Sequence, residues 1–250
     1  MAGLDLSGMK KTGFVSKEFK PGNVTARIVD VKFEKKETPL NKKGLDEYEL
    51  SFYLETPPLA DGFVGFDKVF GDPSQGQYTG QVRWVKTSDW PIKHEEFVSK
   101  KGENITRSVA VQVAETLETL SALYGKPNWL HETAAKVSKV EDLVKFFVQS
   151  KMYKDVYLDW LIAGQEDMNA KGYKVYYCYF PTYKMKVDSF VNLKGKEVDT
   201  FNSSIHIVKS KRMTEASESL NNDNDEPETT AENPFETSDD DDDELFDMED

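Results

Sequence analysis

The chain is poor in the residues that carry most enzyme chemistry. It holds one cysteine, Cys178, and three histidines, His94, His131 and His206. A lone cysteine excludes an internal disulfide framework and any zinc site built from several thiolates. The histidines stand far apart in sequence, and there is no GxxxxGK[ST] loop, GxSxG elbow or HExxH pair,. Asp223-Asn224-Asp225 lacks the glycine and the closing glutamate of a calcium loop,. No metal, no cofactor and no catalysis are therefore expected. No apolar run approaches the roughly 18 residues that a membrane span needs. The opening Met1-Ala2-Gly3-Leu4-Asp5 lacks a basic segment followed by an apolar one, so no secretory signal is expected, and a cytoplasmic location is,.

The other scarcity is of base. After Arg212 there is no further lysine or arginine, and the last 36 residues carry seventeen acids. They include the run Asp239, Asp240, Asp241, Asp242, Asp243 and Glu244, followed at once by Leu245 and Phe246. The chain's formal charge is −13, but removing those seventeen from 45 acids leaves 28 against 32 Lys and Arg, a body of about +4. A basic body tied to its own polyanion points to a polyanionic partner for which the tail competes. The apolar residues inside the acids suit a docking peptide, in which charge steers and an aromatic ring fills a pocket.

What is plentiful is aromatic: 15 Phe, 11 Tyr and 4 Trp, enough for a real core. Three units follow, a loose arm (1–20), a folded body (21–212) and a disordered acidic tail (213–250). Residues 23–36 alternate as a strand whose phase slips from Val24, Ala26, Ile28 to Val29, Val31, Phe33, the mark of a β-bulge. A basic loop, 35–44, leads to a second strand over 46–55, with Tyr48, Leu50, Phe52 and Leu54 on one face. A third strand is expected over 62–70, a flexible loop over 71–80, and a short extended piece over 81–86. The period then turns helical, with helices over 92–101, 106–124 and 138–150, the last with the capping-box spacing Ser138 to Glu141. Strands return over 155–163 and 173–180, joined by a loop, and a short alternating piece covers 204–209. The fold class is α+β: a five-stranded β-barrel with a helical insertion, about 92–150, between its third and fourth strands.

Basic residues interleave with rings at three places. Arg83, Trp84 and Lys86 offer a stacking plane between two phosphate partners. Tyr157, Tyr173 and Tyr177 lie near Lys171 and Lys174, with Tyr176, Tyr179, Tyr183, Lys184 and Lys186 in the same region. Lys35, Lys36, Lys42 and Lys43 line the loop between the first two strands. Cations that track a phosphate backbone and ring faces that stack bases are the ingredients of single-strand binding.

The acidic end, Asp239 to Asp250, and the strand–helix–hairpin order over 23–180 resemble bacteriophage and bacterial single-stranded DNA-binding proteins of the OB-fold type. The resemblance implies binding without sequence preference in DNA replication, recombination or repair. It also implies that the tail competes with DNA and recruits replication proteins such as a polymerase, helicase, primase or recombinase. In such a barrel the loops between strands one and two and between four and five flank the binding face. The rival reading is a protein-interaction module, structural, virion or chaperone-like, whose acidic tail mimics DNA or holds basic partners. No membrane partner is expected; self-association and the choice of DNA over RNA stay open.

Overall fold

A computed structural model describes residues 16–41, 43–59, 65–99, 101–182, 185, 187, 190–191 and 198–214. The expected arm up to residue 15, Lys42, Tyr183, Lys184, Lys186 and the acidic tail from residue 215 lie outside the described residues.

The first strand, β1 (Gly22–Lys35), does two jobs because it bends. Its first half, from Gly22 to Ala26, pairs antiparallel with β9 (Leu158–Met168), and its second half, from Arg27 to Lys35, pairs with β2 (Glu47–Glu55). The register shifts between Ile28 and Asp30, where the sequence places its slip in phase. The extra residue re-aims the strand, so the buried pair Ala26 and Ile28 gives way to the half-buried Val31 and Phe33,. β2 pairs on with β5 (Val82–Lys86), β5 runs parallel to β10 (Lys174–Tyr179), and β10 returns antiparallel to β9. The sheet thus curls until it partly closes into a ring, β1-β2-β5-β10-β9 and back to β1.

Several expectations are corrected. The strand that joins the ring after β2 is β5; residues 66–69 form a short strand, β3, that pairs instead with β4 (Asp72–Tyr78) in a separate hairpin. Residues 71–80 are therefore largely strand, not loop. Residues 92–101 are not helical: β6 (Ile92–Lys93) pairs with β2, and β7 (Glu95–Val98) with β8 (Asn104–Arg107) makes a second hairpin. The turn of that hairpin puts Gly102 at φ +80°, a conformation that only glycine adopts without strain,. Finally, β9 runs through Gly164 to Met168, so the hairpin connection shrinks to a turn around Asn169–Gly172.

The helices follow as α1 (Val109–Leu123), α2 (Trp129–Ala134) and α3 (Val140–Ser150). Ser108 caps α1, its hydroxyl accepting the Val111 N–H at 3.2 Å,. Val113, Leu117 and Leu120 are buried at the expected spacing, and Gly125 at φ +76° follows the helix,. The capping box at Ser138 does not form, because α3 takes Lys139 at its N-cap with no side-chain bond. Helix α3 nonetheless buries Leu143, Val144 and Phe147. These side chains share one continuous core with Leu50, Phe52, Leu54 and Val85 of the ring. The helices are thus a lid on the sheet's interior, not a separate subdomain. Trp160 is wholly buried in that core, lies parallel to Phe180 at 5.3 Å, and donates its indole N–H to the Ala26 carbonyl at 2.9 Å. After β10 the chain makes the short α4 (Ser203–His206) and β11 (Ile207–Lys209), which adds parallel to β9.

Candidate nucleic-acid interface

Strand alternation sorts the rings. In β2, Leu50, Phe52 and Leu54 turn into the core, so Ser51, Tyr53 and Glu55 occupy the outer face,. The register then sets two lateral rows on that face: Asp30, Tyr53 and Trp84, and beside it Lys32, Ser51 and Lys86. Trp84 is 38% exposed and stacks on Tyr53, with ring centroids 4.8 Å apart. Tyr53 meets the edge of Tyr78, from the β3–β4 hairpin, at 5.4 Å. Lys17 and Lys68 stand over the Tyr78 ring at 5.8 and 5.5 Å,. Burial raises both phenols, Tyr53 and Tyr78, above their ordinary range, so both rings stay neutral at physiological pH,. Neutral ring faces beside ammonium groups are compatible with a polyanion.

Tyr177 extends this face. One step back from the parallel pair Val85 and Cys178 stand Trp84 and Tyr177 on neighbouring strands, and Tyr177 is 54% exposed. Tyr173 is exposed at the turn before β10, where the Asn169 side chain accepts the N–H groups of both Lys171 and Tyr173. Tyr179, on the same face as Tyr177, is buried against Ala163 and Met185. Tyr176 packs against the main core. Tyr157 lies beneath the Arg27 guanidinium, 5.6 Å from the ring centre.

The cations divide into anchored and open. Arg83 is an anchor: its guanidinium donates to the carbonyls of Phe19 and Tyr176 and pairs with Glu18, which ties the N-terminal segment to β5 and β10. It is therefore bound internally and does not flank Trp84 as a free phosphate partner. Ion pairs engage Lys35 with Asp46 at 2.8 Å, Lys86 with Glu49 at 2.6 Å and Lys174 with Glu166 at 2.6 Å. The first two exchange partners at little cost, whereas Lys174 neutralises the buried Glu166 carboxylate and is held there,. Lys36, Lys43 and Lys171 appear in no ion pair among the described residues.

The basic turn between β1 and β2 is built on a buried carboxylate. Glu47 accepts the Leu40 N–H and the Asn41 amide, each at 2.9 Å, and these bonds, the Leu40 N–H foremost, hold it below the ordinary carboxylate range. Asn41 in turn accepts the N–H groups of Lys43 and Leu45. Lys43 thus rides on a fixed turn at one end of the β2–β5 face, and Lys171 and Tyr173 stand at the other.

Sequence reasoning missed Tyr53, Tyr78, Lys17 and Lys68. The alternation of β2 already puts Tyr53 opposite Leu50, Phe52 and Leu54, so its signal was present. Tyr78 carried none, because 71–80 reads as a glycine-rich loop, and Lys68, in the expected strand over 62–70, had no partner in view.

Of the histidines, His94 meets the Glu96 carboxylate at 3.1 Å and His206 is buried. Burial pushes the Cys178 thiol up to about 11, so it is not a thiolate at neutral pH,. Among the described residues no three His, Cys, Asp or Glu side chains gather to hold a metal ion, and no helix is long and apolar enough to cross a membrane. No family model, curated protein or solved structure matches the chain.

Proposed function

We propose that this protein binds single-stranded DNA without sequence preference and without catalysis, in DNA replication or recombination, including that of a bacteriophage. The observation that carries the reading is the ring cluster Trp84–Tyr53–Tyr78 on the outer face of β2 and β5, with Lys17 and Lys68 beside it. Bases stack on sequence-tolerant ring faces while lysines replace counterions along the phosphates. An OB-like barrel accounts for the strand order. In it, β1, β2, β5, β9 and β10 would be strands one to five, and the parallel contact of β5 with β10 joins strands three and five,. The face between strands two and three is then the ring-bearing one, and its flanking loops are those of Lys43 and Tyr173. The acidic tail, with Asp239 to Glu244, Leu245 and Phe246, would compete for this face and, once displaced by DNA, recruit replication proteins.

A second reading keeps one observation of its own. Phe70, at the turn of the β3–β4 hairpin, is wholly exposed, which suits a protein-binding arm whose acidic tail holds a basic partner.

Titrating labelled oligo(dT) with the full chain and with a chain lacking residues 232–250, at several salt concentrations, decides between them. Affinity should fall with salt at a log–log slope of roughly −0.7 per phosphate contacted, and the truncated chain should bind tighter. Absence of oligonucleotide binding at low salt leaves the protein-interaction reading in its place.

A further inference from the structure

A cleft of about 820 Å³ opens where the ring-bearing face ends at Lys86. Its walls come from the basic turn, the segment after β5, the β7–β8 hairpin and α1. A much smaller hollow lined by Lys36, Tyr48 and Lys86 shares Trp90 with it and so joins the cleft to the face.

We infer that the cleft is a second subsite, which takes a base of the same single strand after it leaves the Trp84 face; this rests on the proposed function. Trp90 is 64% exposed although its backbone is fixed on both sides. Its N–H is held by the Ser88 hydroxyl at 3.0 Å, and two residues on, buried Ile92 pairs with Tyr48 of β2. The segment that carries this open ring is already ordered before any ligand arrives, so a stacking partner costs only the ring's own rotamer freedom. Phe97 of the β7–β8 hairpin lines the same cleft and is also exposed.

Charge says which part of a nucleotide enters. Glu95, Glu96 and Glu115 line the cleft together with Lys93, His94 and Arg107, while Lys43 stands on its basic-turn wall; Arg107 is paired to Glu115 and His94 meets Glu96. A phosphate inside would meet those carboxylates, whereas a neutral base would not. The backbone would instead follow Lys86, Lys36 and Lys43 around the turn pinned by Glu47. The strand path is then two platforms joined by lysines, with Trp84 on one and Trp90 on the other.

The test uses fluorescein-labelled oligo(dT) of about 6 and about 20 nucleotides, lengths within and beyond the span of one such fold. Trp84→Ala should weaken both. Trp90→Ala should weaken only the longer strand, by roughly 5- to 150-fold, the equivalent of one lost stacked base, and Trp90→Phe should restore most of it. Thermal melting checks that the variants fold. As an independent readout, the Trp84→Phe chain keeps Trp90 as its most exposed indole, and the longer strand should quench its fluorescence while the shorter does not.

Unchanged affinity of Trp90→Ala for the longer strand, with Trp84→Ala impaired, overturns the subsite and leaves the face standing. Equal losses at both lengths overturn it too, by placing Trp90 within the primary site. A wild-type chain that binds neither length removes the proposed function and the subsite together.

Discussion

Trp84 stacks on Tyr53 across the β2–β5 ladder, centroids 4.8 Å apart and planes 30° apart. The contact fixes the indole against its neighbour and leaves it 38% exposed, on the face where bases would stack. Replacing Trp84 by alanine removes the platform without opening the core, because the ring lies outside it. The expected result is a loss of roughly 1–3 kcal/mol in single-strand affinity, read by fluorescence anisotropy, with a urea midpoint close to that of the parent. A collapse in stability with unchanged affinity would assign Trp84 to structure instead.

Arg83, the next residue back, should behave in the opposite way. Its guanidinium serves two carbonyls and Glu18, and its side chain is only 12% exposed. Arg83→Met strands those carbonyls and should cost on the order of 3 kcal/mol of stability, measured by urea unfolding. Oligonucleotide affinity of the folded fraction should change little. The pair of variants separates two residues that composition alone groups together as one basic–aromatic motif.

That grouping shows where legibility ends. The slip in β1 could be read because apolar residues change phase at Val29, and the outer placement of Tyr53 follows from three apolar neighbours at period two. Arg83 and Trp84 could not be told apart, since a five-residue strand flanked by charges has no clear phase. The segment after Pro91 misleads differently. Ile92, Phe97 and Val98 resemble a sparse helical stripe, but Ile92 alone is buried and the other two stand exposed on a hairpin. The far half of β9 reads as loop because Gln165, Glu166 and Asp167 are polar. Their strand is held by the ladder to β10, with Glu166 paired to Lys174 across the hairpin, and by the distant Ser210, which donates to Asp167 at 2.8 Å. Pairing across 43 residues leaves no local trace.

Gly80 is where the connection from β4 into β5 passes closest to another part of the backbone. A Cβ there would sit 2.0 Å from the Thr56 carbonyl oxygen, and the Gly80 N–H approaches the buried Glu55 carboxylate at 3.4 Å. All three atoms nearest that Cβ are backbone, from Thr56 and Pro57. Gly80→Ala should therefore cost about 3 kcal/mol, the upper part of the range for overpacking, seen as a lowered urea midpoint. An alanine variant as stable as the parent would mean that the connection can shift as a unit.

His206 sets the response to mild acid. The imidazole is buried, and its Nδ1 accepts the Asn202 N–H at 2.9 Å. Burial pushes it below its ordinary value of 6.5, and Asp199 only partly opposes this. The unfolded chain therefore takes up this proton more readily than the folded one. The stability held above 6.5 is lost as the pH falls through the depressed folded value, because a protonated Nδ1 faces the Asn202 N–H donor to donor. Asp72 and Asp167 are shifted down as carboxylates, so their losses come at lower pH. Urea midpoints should thus decline between about pH 7 and 5 in the parent. They should stay nearly flat there in His206→Asn, whose amide oxygen can accept the same N–H but does not titrate. An equal decline in both proteins would move the acid sensitivity to another group.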